Sequence, residues 1–151
     1  MVIKKEVDQK RQNRKYLIGE IPKISAPNFI MNPAELYQYL PKDKSFIIKR
    51  VYWITNQVGE KKSGQHSHIE EEELFIVIQG NSNILLDDNG KGIKKIKLGT
   101  NKIVWIPNFV WHGFDNMSND CIILALSSTN YNPNRADYIE NYEEFKKIVK
   151  K

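Results

Sequence analysis

The sequence predicts an all-β protein, an antiparallel sandwich or barrel, and three observations predict it. Segments rich in Ile, Val, Tyr, Trp and Phe recur at 46–56, 74–79, 82–87, 93–98, 102–106 and 121–128. Turn signals separate them: Val58-Gly59, Gln79-Gly80-Asn81, Asp88-Asn89-Gly90 and Pro107-Asn108. Branched and aromatic side chains suit a pleated, half-buried surface, while Gly, Asn, Asp and Pro reverse the chain. The third observation is size. A chain of 151 residues, 40% of them hydrophobic, fills one sizeable core and no second one. Short strands at this spacing close into a sandwich or barrel.

The elements follow in order. Residues 1–15 read as a polar arm. Ile18, Ile21, Ile24, Phe29 and Ile30, interrupted by Pro22 and Pro27, read as short extended pieces. Asn32-Pro33-Ala34-Glu35-Leu36 reads as a short helix start, with Asn32 as N-cap and Pro33 at the first helical position. Residues 1–45 thus form an N-terminal extension, and 46–151 the β domain, within a single domain overall. At the end, Ile139, Tyr142, Phe145 and Ile148 recur at helical spacing, which predicts an amphipathic helix over 138–151. Asp87-Asp88 beside Asn89-Gly90 reads as hairpin-turn chemistry, not as a metal site.

Charge and cysteine content exclude several function classes. The net charge is +5, but six basic and two acidic residues fall in 1–15, and four Lys against three Glu in 140–151. The remaining 13 basic and 13 acidic residues cancel. A nucleic-acid face interleaves basic and aromatic residues, and no such face is written here, so no nucleic-acid partner is expected. No apolar run approaches the roughly 20 residues of a membrane helix, and the start lacks the apolar stretch of a signal peptide. Cys121 is the single cysteine and precedes Ile122-Ile123-Leu124 in a strand, so it is expected to be buried. The expectation is a protein of a reducing, cytoplasmic compartment with no membrane partner.

All three histidines fall in a pattern. His66-Ser67-His68 would send both imidazoles to one face of an extended strand. Glu73 follows five residues after His68, and Gly80 seven after that. Pro107-Asn108-Phe109-Val110-Trp111-His112 then supplies the third histidine, with Asn116 beyond. This pairing of H-x-H…E…G with P-x-x-x-x-H resembles the two motifs of the cupin superfamily, which implies a small antiparallel β-barrel (jelly roll) holding these residues in its mouth. The glycine usual two residues after the proline is Phe109 here.

A narrower resemblance extends over about residues 46–147. Ile48-Lys49-Arg50-Val51-Tyr52-Trp53-Ile54, Gly80-Asn81-Ser82, Leu86-Asp87-Asp88, Trp105-Ile106-Pro107 and the ending Ala125-Leu126-Ser127-Ser128…Tyr131…Asp137-Tyr138-Ile139…Tyr142-Glu143-Glu144-Phe145 carry it. The chain resembles the WxcM-like sugar 3,4-ketoisomerases. The resemblance implies an isomerase acting on dTDP-4-keto-6-deoxyglucose, free of metal and other cofactors, a homodimer, and a place in the synthesis of amino sugars for bacterial surface polysaccharides such as lipopolysaccharide.

Such a reaction removes a proton beside a carbonyl, and His is the side chain whose ordinary pKa lies near working pH. The resemblance puts the base at His66, with His68 beside it as shuttle or orienting partner. Tyr52 is a candidate donor to the developing oxyanion. Arg50, two residues before it on the same strand face, suits a pyrophosphate. His112 would close the far side of the pocket. Trp53, Trp105 and Trp111 are candidates for stacking on thymine or sugar, or alternatively for filling a core.

Three positions depart from the family pattern: Ser63 where an arginine precedes the glycine, Ile69 where a lysine follows the second histidine, and Glu73 where a glutamine stands. Glu73 reads either as a site carboxylate or as part of a turn; Glu70, Glu71 and Glu72 read as a solvated turn. Arg50 and Tyr52 have ordinary alternatives as a surface strand residue and a barrel aromatic. With Glu73, the residues His66, His68 and His112 make a complete three-histidine, one-carboxylate set. A metal-dependent cupin, dioxygenase or isomerase, is therefore one alternative, and a nucleotide-sugar-binding module without catalysis is the other.

Overall fold

The computed structural model describes residues 15–20, 46–55 and 62–150. The expected short helix at 32–36, the pieces around 21–30 and the Val58-Gly59 turn lie outside the described residues. Among the described residues the strands run in the order β1 (Leu17–Glu20), β2 (Arg50–Thr55), β3 (Lys62–His68), β4 (Glu73–Gln79), β5 (Asn81–Asp87), β6 (Lys94–Gly99), β7 (Lys102–Ile106), β8 (Trp111–Asp115), β9 (Ile122–Ser127) and β10 (Tyr138–Ile139). One helix, α1 (Tyr142–Val149), follows.

The strands form two five-stranded sheets, ordered β1-β7-β4-β9-β2 and β10-β3-β8-β5-β6. Every pairing is antiparallel. This is the expected all-β barrel. Period-2 patterning sorts its side chains. On β4, Phe75 and Val77 enter the main core with Ile84, Leu86, Val104, Phe114 and Ile123, while Leu74 and Ile76 pack on the opposite face with Ile103 and Trp105. On β2, Val51 and Trp53 are exposed, and Arg50, Tyr52 and Ile54 turn the other way.

β3 and β8 escape the sequence signal for strands, because β3 reads Lys-Ser-Gly-Gln-His-Ser-His, without one aliphatic side chain. Their pairing rests on backbone fit. Gly64 stands opposite Gly113, and a Cβ on Gly64 would come 2.9 Å from the Gly113 Cα. The register shifts between Gly64 and His66, where Gln65 takes φ 80°, and beyond this bulge His66 lies opposite His112. Two glycines and one bulge therefore bring the two histidine motifs face to face.

Phe109, at the position where the related motif carries glycine, has φ 57°. This is left-handed backbone, where a side chain costs about 1 kcal/mol. The ring is buried with Trp111, Ile139 and Phe145, which offsets that strain, and its N–H donates to the His68 carbonyl at 2.8 Å.

The helix begins later than the spacing predicts. Tyr138 and Ile139 pair with His68 and Ser67 as β10, and α1 starts after Asn141, whose side chain accepts from the Glu144 N–H at 3.0 Å. Residues 138–139 are thus a strand because β3 offers them a free edge. Phe145 seats the helix on Trp111. Asp87 acts as the turn residue expected of it: it accepts from the N–H groups of Asn89, Gly90 and Gly92 and from the Tyr142 hydroxyl. Cys121 is buried. No helix among the described residues is long and apolar enough to cross a membrane.

Candidate active site

A cavity of about 530 Å³ opens between the sheets, lined by residues from β2, β3, β4, β8 and β10 and from the segment between β9 and β10. It gathers Arg50, Tyr52, His66 and His112 from the predicted set, and Tyr131, Arg135 and Tyr138 besides. His68 and Glu73 lie just beneath, each 2% exposed. All six predicted site residues meet in one place.

The centre is a cluster of rings. His66 Nε2 lies 3.0 Å from His68 Nε2, and the His66 ring centroid is 4.7 Å from those of both His68 and His112. Tyr138 closes the cluster, 4.7 Å from the His66 ring and 4.4 Å from the His68 ring. His112 Nδ1 donates to the Val110 carbonyl at 3.1 Å, so its Nε2 turns inward, 3.0 Å from Glu73 Oε2.

Glu73 is a site carboxylate, not part of a turn. It accepts from the Tyr52 hydroxyl at 2.5 Å through Oε1, and its Oε2 lies 3.5 Å from His68 Nε2. Burial works against its charge, but His112 and His68 outweigh it and hold the carboxyl well below its ordinary range. Tyr52 shifts the other way: burial first, then the Glu73 charge, keep it a phenol.

The two histidines of the H-x-H are driven apart. Burial, with the neighbouring imidazoles of His112 and His68, pushes His66 down to about 2. Burial also opposes charge on His68, but hydrogen bonds to Asp137 and Glu73 overcome it and raise the group to about 9. At neutral pH, His66 is neutral and His68 is an imidazolium.

One sequence reading needs correction, and one pair of alternatives is decided. Glu71 is not solvated: it is 3% exposed and forms the centre of a polar knot. Its Oε1 accepts from Arg50 Nη2 at 2.5 Å and from Ser127 Oγ at 2.6 Å, and Oε2 from Thr129 Oγ1 at 2.9 Å. Arg50 is consequently an ion-paired wall residue, with its guanidinium 5.0 Å from the Tyr52 ring and 5.7 Å from that of Tyr131. Glu70 is exposed and Glu72 half-buried. The pair of alternatives concerns the tryptophans, and core filling holds for two of them. Trp53 points outward at 70% exposure, and Trp105 and Trp111 are buried in packing clusters, so none of the three lines the cavity. The aromatic walls are tyrosines instead.

Sequence reasoning assigned no role to Glu71, Tyr131, Arg135, Asp137 or Tyr138. Glu71 was hidden by four consecutive glutamates, whose alternation along an extended backbone is the one available clue. Of the three departures, Ser63 lines the cavity, Ile69 packs under α1 instead, and Glu73 sits in the cluster. His66, His68, Glu73 and His112 each present one ligand atom, all within 4.8 Å of one another, and this set could hold a metal ion.

Two packed antiparallel sheets with a three-histidine, one-carboxylate cluster in the mouth define a cupin-type barrel. Within that class the assignment is narrower. The WxcM-like, C-terminal family model, FdtA, matches residues 15–150, and the chain belongs to this family. It is 35% identical over 111 residues to the TDP-4-oxo-6-deoxy-α-D-glucose-3,4-oxoisomerase of Aneurinibacillus thermoaerophilus, covering 73% of this chain and 78% of that one. A TDP-fucose-3,4-ketoisomerase from Campylobacter jejuni superposes with a TM-score of 0.70 at 32% identity, over 89% of this chain and 95% of the other. A 3,4-ketoisomerase from Thermoanaerobacterium thermosaccharolyticum, solved in complex with TDP, superposes with a TM-score of 0.73 at 28% identity, over 89% and 94% of the two chains.

Proposed function

We propose that this chain is a nucleotide-sugar 3,4-ketoisomerase that moves the ketone of a dTDP-linked 4-keto-6-deoxyglucose from C4 to C3. The observation that carries the reading is the histidine pair at a sugar-sized cavity: His66 on its wall and His68 just beneath, their Nε2 atoms 3.0 Å apart, with proton affinities shifted in opposite directions by their neighbours. Environments that push two titrating groups apart supply an acid and a base at one pH.

In the proposed sequence His66 accepts the C3 proton. The C3–H pair becomes the C3=C4 bond, and the carbonyl π pair moves to O4, which takes up a proton. Loss of the O3 hydroxyl proton then makes the C3 carbonyl while C4 is reprotonated. The proton affinity of resting His66 is low because of burial first and the neighbouring imidazoles second; a sugar oxyanion beside it would offset both. His68 stabilises the developing negative charge. Tyr52 is a donor to the same oxyanion once its hydroxyl rotates away from Glu73. Arg50, held rigid by Glu71, faces the nucleotide's pyrophosphate, and His112 positions the sugar.

A homodimer accompanies this reading. Among the described residues β2 is the edge of its sheet, and Val51 and Trp53 on its outer face are 55% and 70% exposed, with Ile47 nearby at 62%. A contiguous apolar edge of this kind favours a second copy as its cover. The reducing cytoplasm, where nucleotide sugars are made, is the compartment proposed.

The deciding experiment incubates the protein with dTDP-4-keto-6-deoxyglucose in deuterated water. Deuterium at C4 of a newly formed 3-keto sugar, with exchange at C3 of recovered 4-keto substrate, supports the isomerase; tight binding with no exchange would make the protein a binding module.

A further inference from the structure

The geometry points to Asp137 as the positioning residue of the histidine pair: by accepting from His68 Nδ1 it dictates that His68 exchanges protons only through Nε2, toward His66. The inference rests on the reading above, in which these two histidines handle the substrate's proton.

Asp137 stands 69 residues from His68 in sequence and immediately before β10. Its Oδ1 accepts from the N–H groups of Ile69 at 3.1 Å and Glu70 at 2.6 Å, and its Oδ2 from the Glu71 N–H at 3.2 Å. Three consecutive backbone N–H groups of the β3–β4 turn therefore converge on one carboxylate, an arrangement that favours an anion. The fourth contact is His68 Nδ1, 3.0 Å from Oδ2. An ionised carboxylate is an acceptor only, so the hydrogen in this contact belongs to the ring. With Nδ1 committed to a proton, Nε2 is the sole nitrogen at which His68 gives or takes one.

The ring has little freedom to do otherwise. It is 2% exposed, Tyr138 meets it edge-on at 4.4 Å, and the His112 ring lies 5.6 Å away at 25°. Nε2 then points at His66 Nε2, 3.0 Å away, and at Glu73 Oε2, 3.5 Å away. Asp137 does not reach the cavity wall; it acts through His68.

Asp137→Asn separates this role from simple anchoring. The amide oxygen still accepts from the Ile69 and Glu70 N–H groups, but an amide NH₂ in place of Oδ2 donates to the imidazole. The neutral ring then carries its hydrogen on Nε2. Nitrogen-15 NMR of histidine-labelled protein reads which ring nitrogen holds the proton when His68 is neutral, and it needs no substrate. The expected result is Nδ1–H in the wild type and Nε2–H in Asp137→Asn. C3–deuterium exchange should show kcat lowered about 10- to 100-fold with KM within threefold, as for other residues that orient a functional imidazole.

The proposal is overturned if wild-type His68 holds its hydrogen on Nε2, if the substitution lowers kcat with the tautomer unchanged, or if the tautomer changes and kcat does not. Should Asp137→Asn fail to fold, the wild-type spectrum alone decides. A wild type with the Nδ1–H form but no exchange on any keto sugar would sink the functional reading and leave the tautomer assignment standing.

Discussion

His66 and His68 face each other through their Nε2 atoms at 3.0 Å, and their surroundings shift their proton affinities in opposite directions. Identical side chains two residues apart differ because one has carboxylate neighbours and the other mainly imidazoles. Asp137 and Glu73 attend His68, whereas His112 and His68 bear on His66. The site therefore holds an acid and a base of the same chemical type, distinguished only by their partners.

This arrangement gives stability a maximum near pH 6.5. The folded value of His68, about 9, exceeds the unfolded 6.5, so its contribution is complete below pH 6.5 and is lost as pH rises through 9. A shift of that size amounts to about 3 kcal/mol, to order of magnitude. His66 has the opposite sign: its folded value is near 2, so the unfolded chain binds more protons below pH 6.5 and stability falls with acidification. Thermal melts across pH 4–10 check this. His68→Gln should flatten the alkaline limb, and an unchanged limb would refute the assignment.

Replacing His66 with Asn should leave the fold intact and lower C3–deuterium exchange by about 10²- to 10⁴-fold, the usual loss for a general base. Tyr52→Phe should lose less, since the rest of the cavity still polarises the sugar. Wild-type turnover in His66→Asn would move the base to His68.

Glu73→Gln removes a fully buried anion but keeps its shape. Glu73 Oε2 lies 3.5 Å from His68 Nε2, so the value of His68 should fall by about one unit or more when that charge disappears. NMR titration of His68 measures the change directly. The hydrogen bond from the Tyr52 hydroxyl is still accepted by the amide oxygen, so exchange activity should stay within about tenfold of wild type.

Prolonged dialysis against a chelator should leave exchange activity unchanged. Proton transfer needs an imidazole lone pair, and an ion held by His66, His68, Glu73 and His112 would occupy those of all three rings. Elemental analysis before and after dialysis, beside the rate, distinguishes the cases. Loss of activity that returns with added metal would favour a metal-dependent enzyme.

How much was legible in the sequence differs from element to element. Strands made of branched and aromatic residues were, because their burial is apolar: β4, β5, β7 and β9 fall within a residue or two of their expected bounds. β3 was not, because its fit depends on the contact of Gly64 with Gly113 and its side chains serve the site. The six site residues were marked by motif spacing. Glu71 and Asp137 were not, since each acquires its role from a partner more than twenty positions away: Arg50 and Ser127 for the one, His68 for the other. A carboxylate in a polar stretch looks solvated until the chain folds around it.

The return of the chain after β9 has a consequence for assembly. Nine of the ten described strands lie before residue 128, yet Tyr131, Arg135, Asp137 and Tyr138 come from the stretch beyond them. The site is thus finished by residues that follow β9, and a protein clipped before Asp137 would lack the carboxylate that accepts from His68 Nδ1. Such a product would keep β1 to β9 and lose that carboxylate, so a cut after β9 would part the barrel from its chemistry.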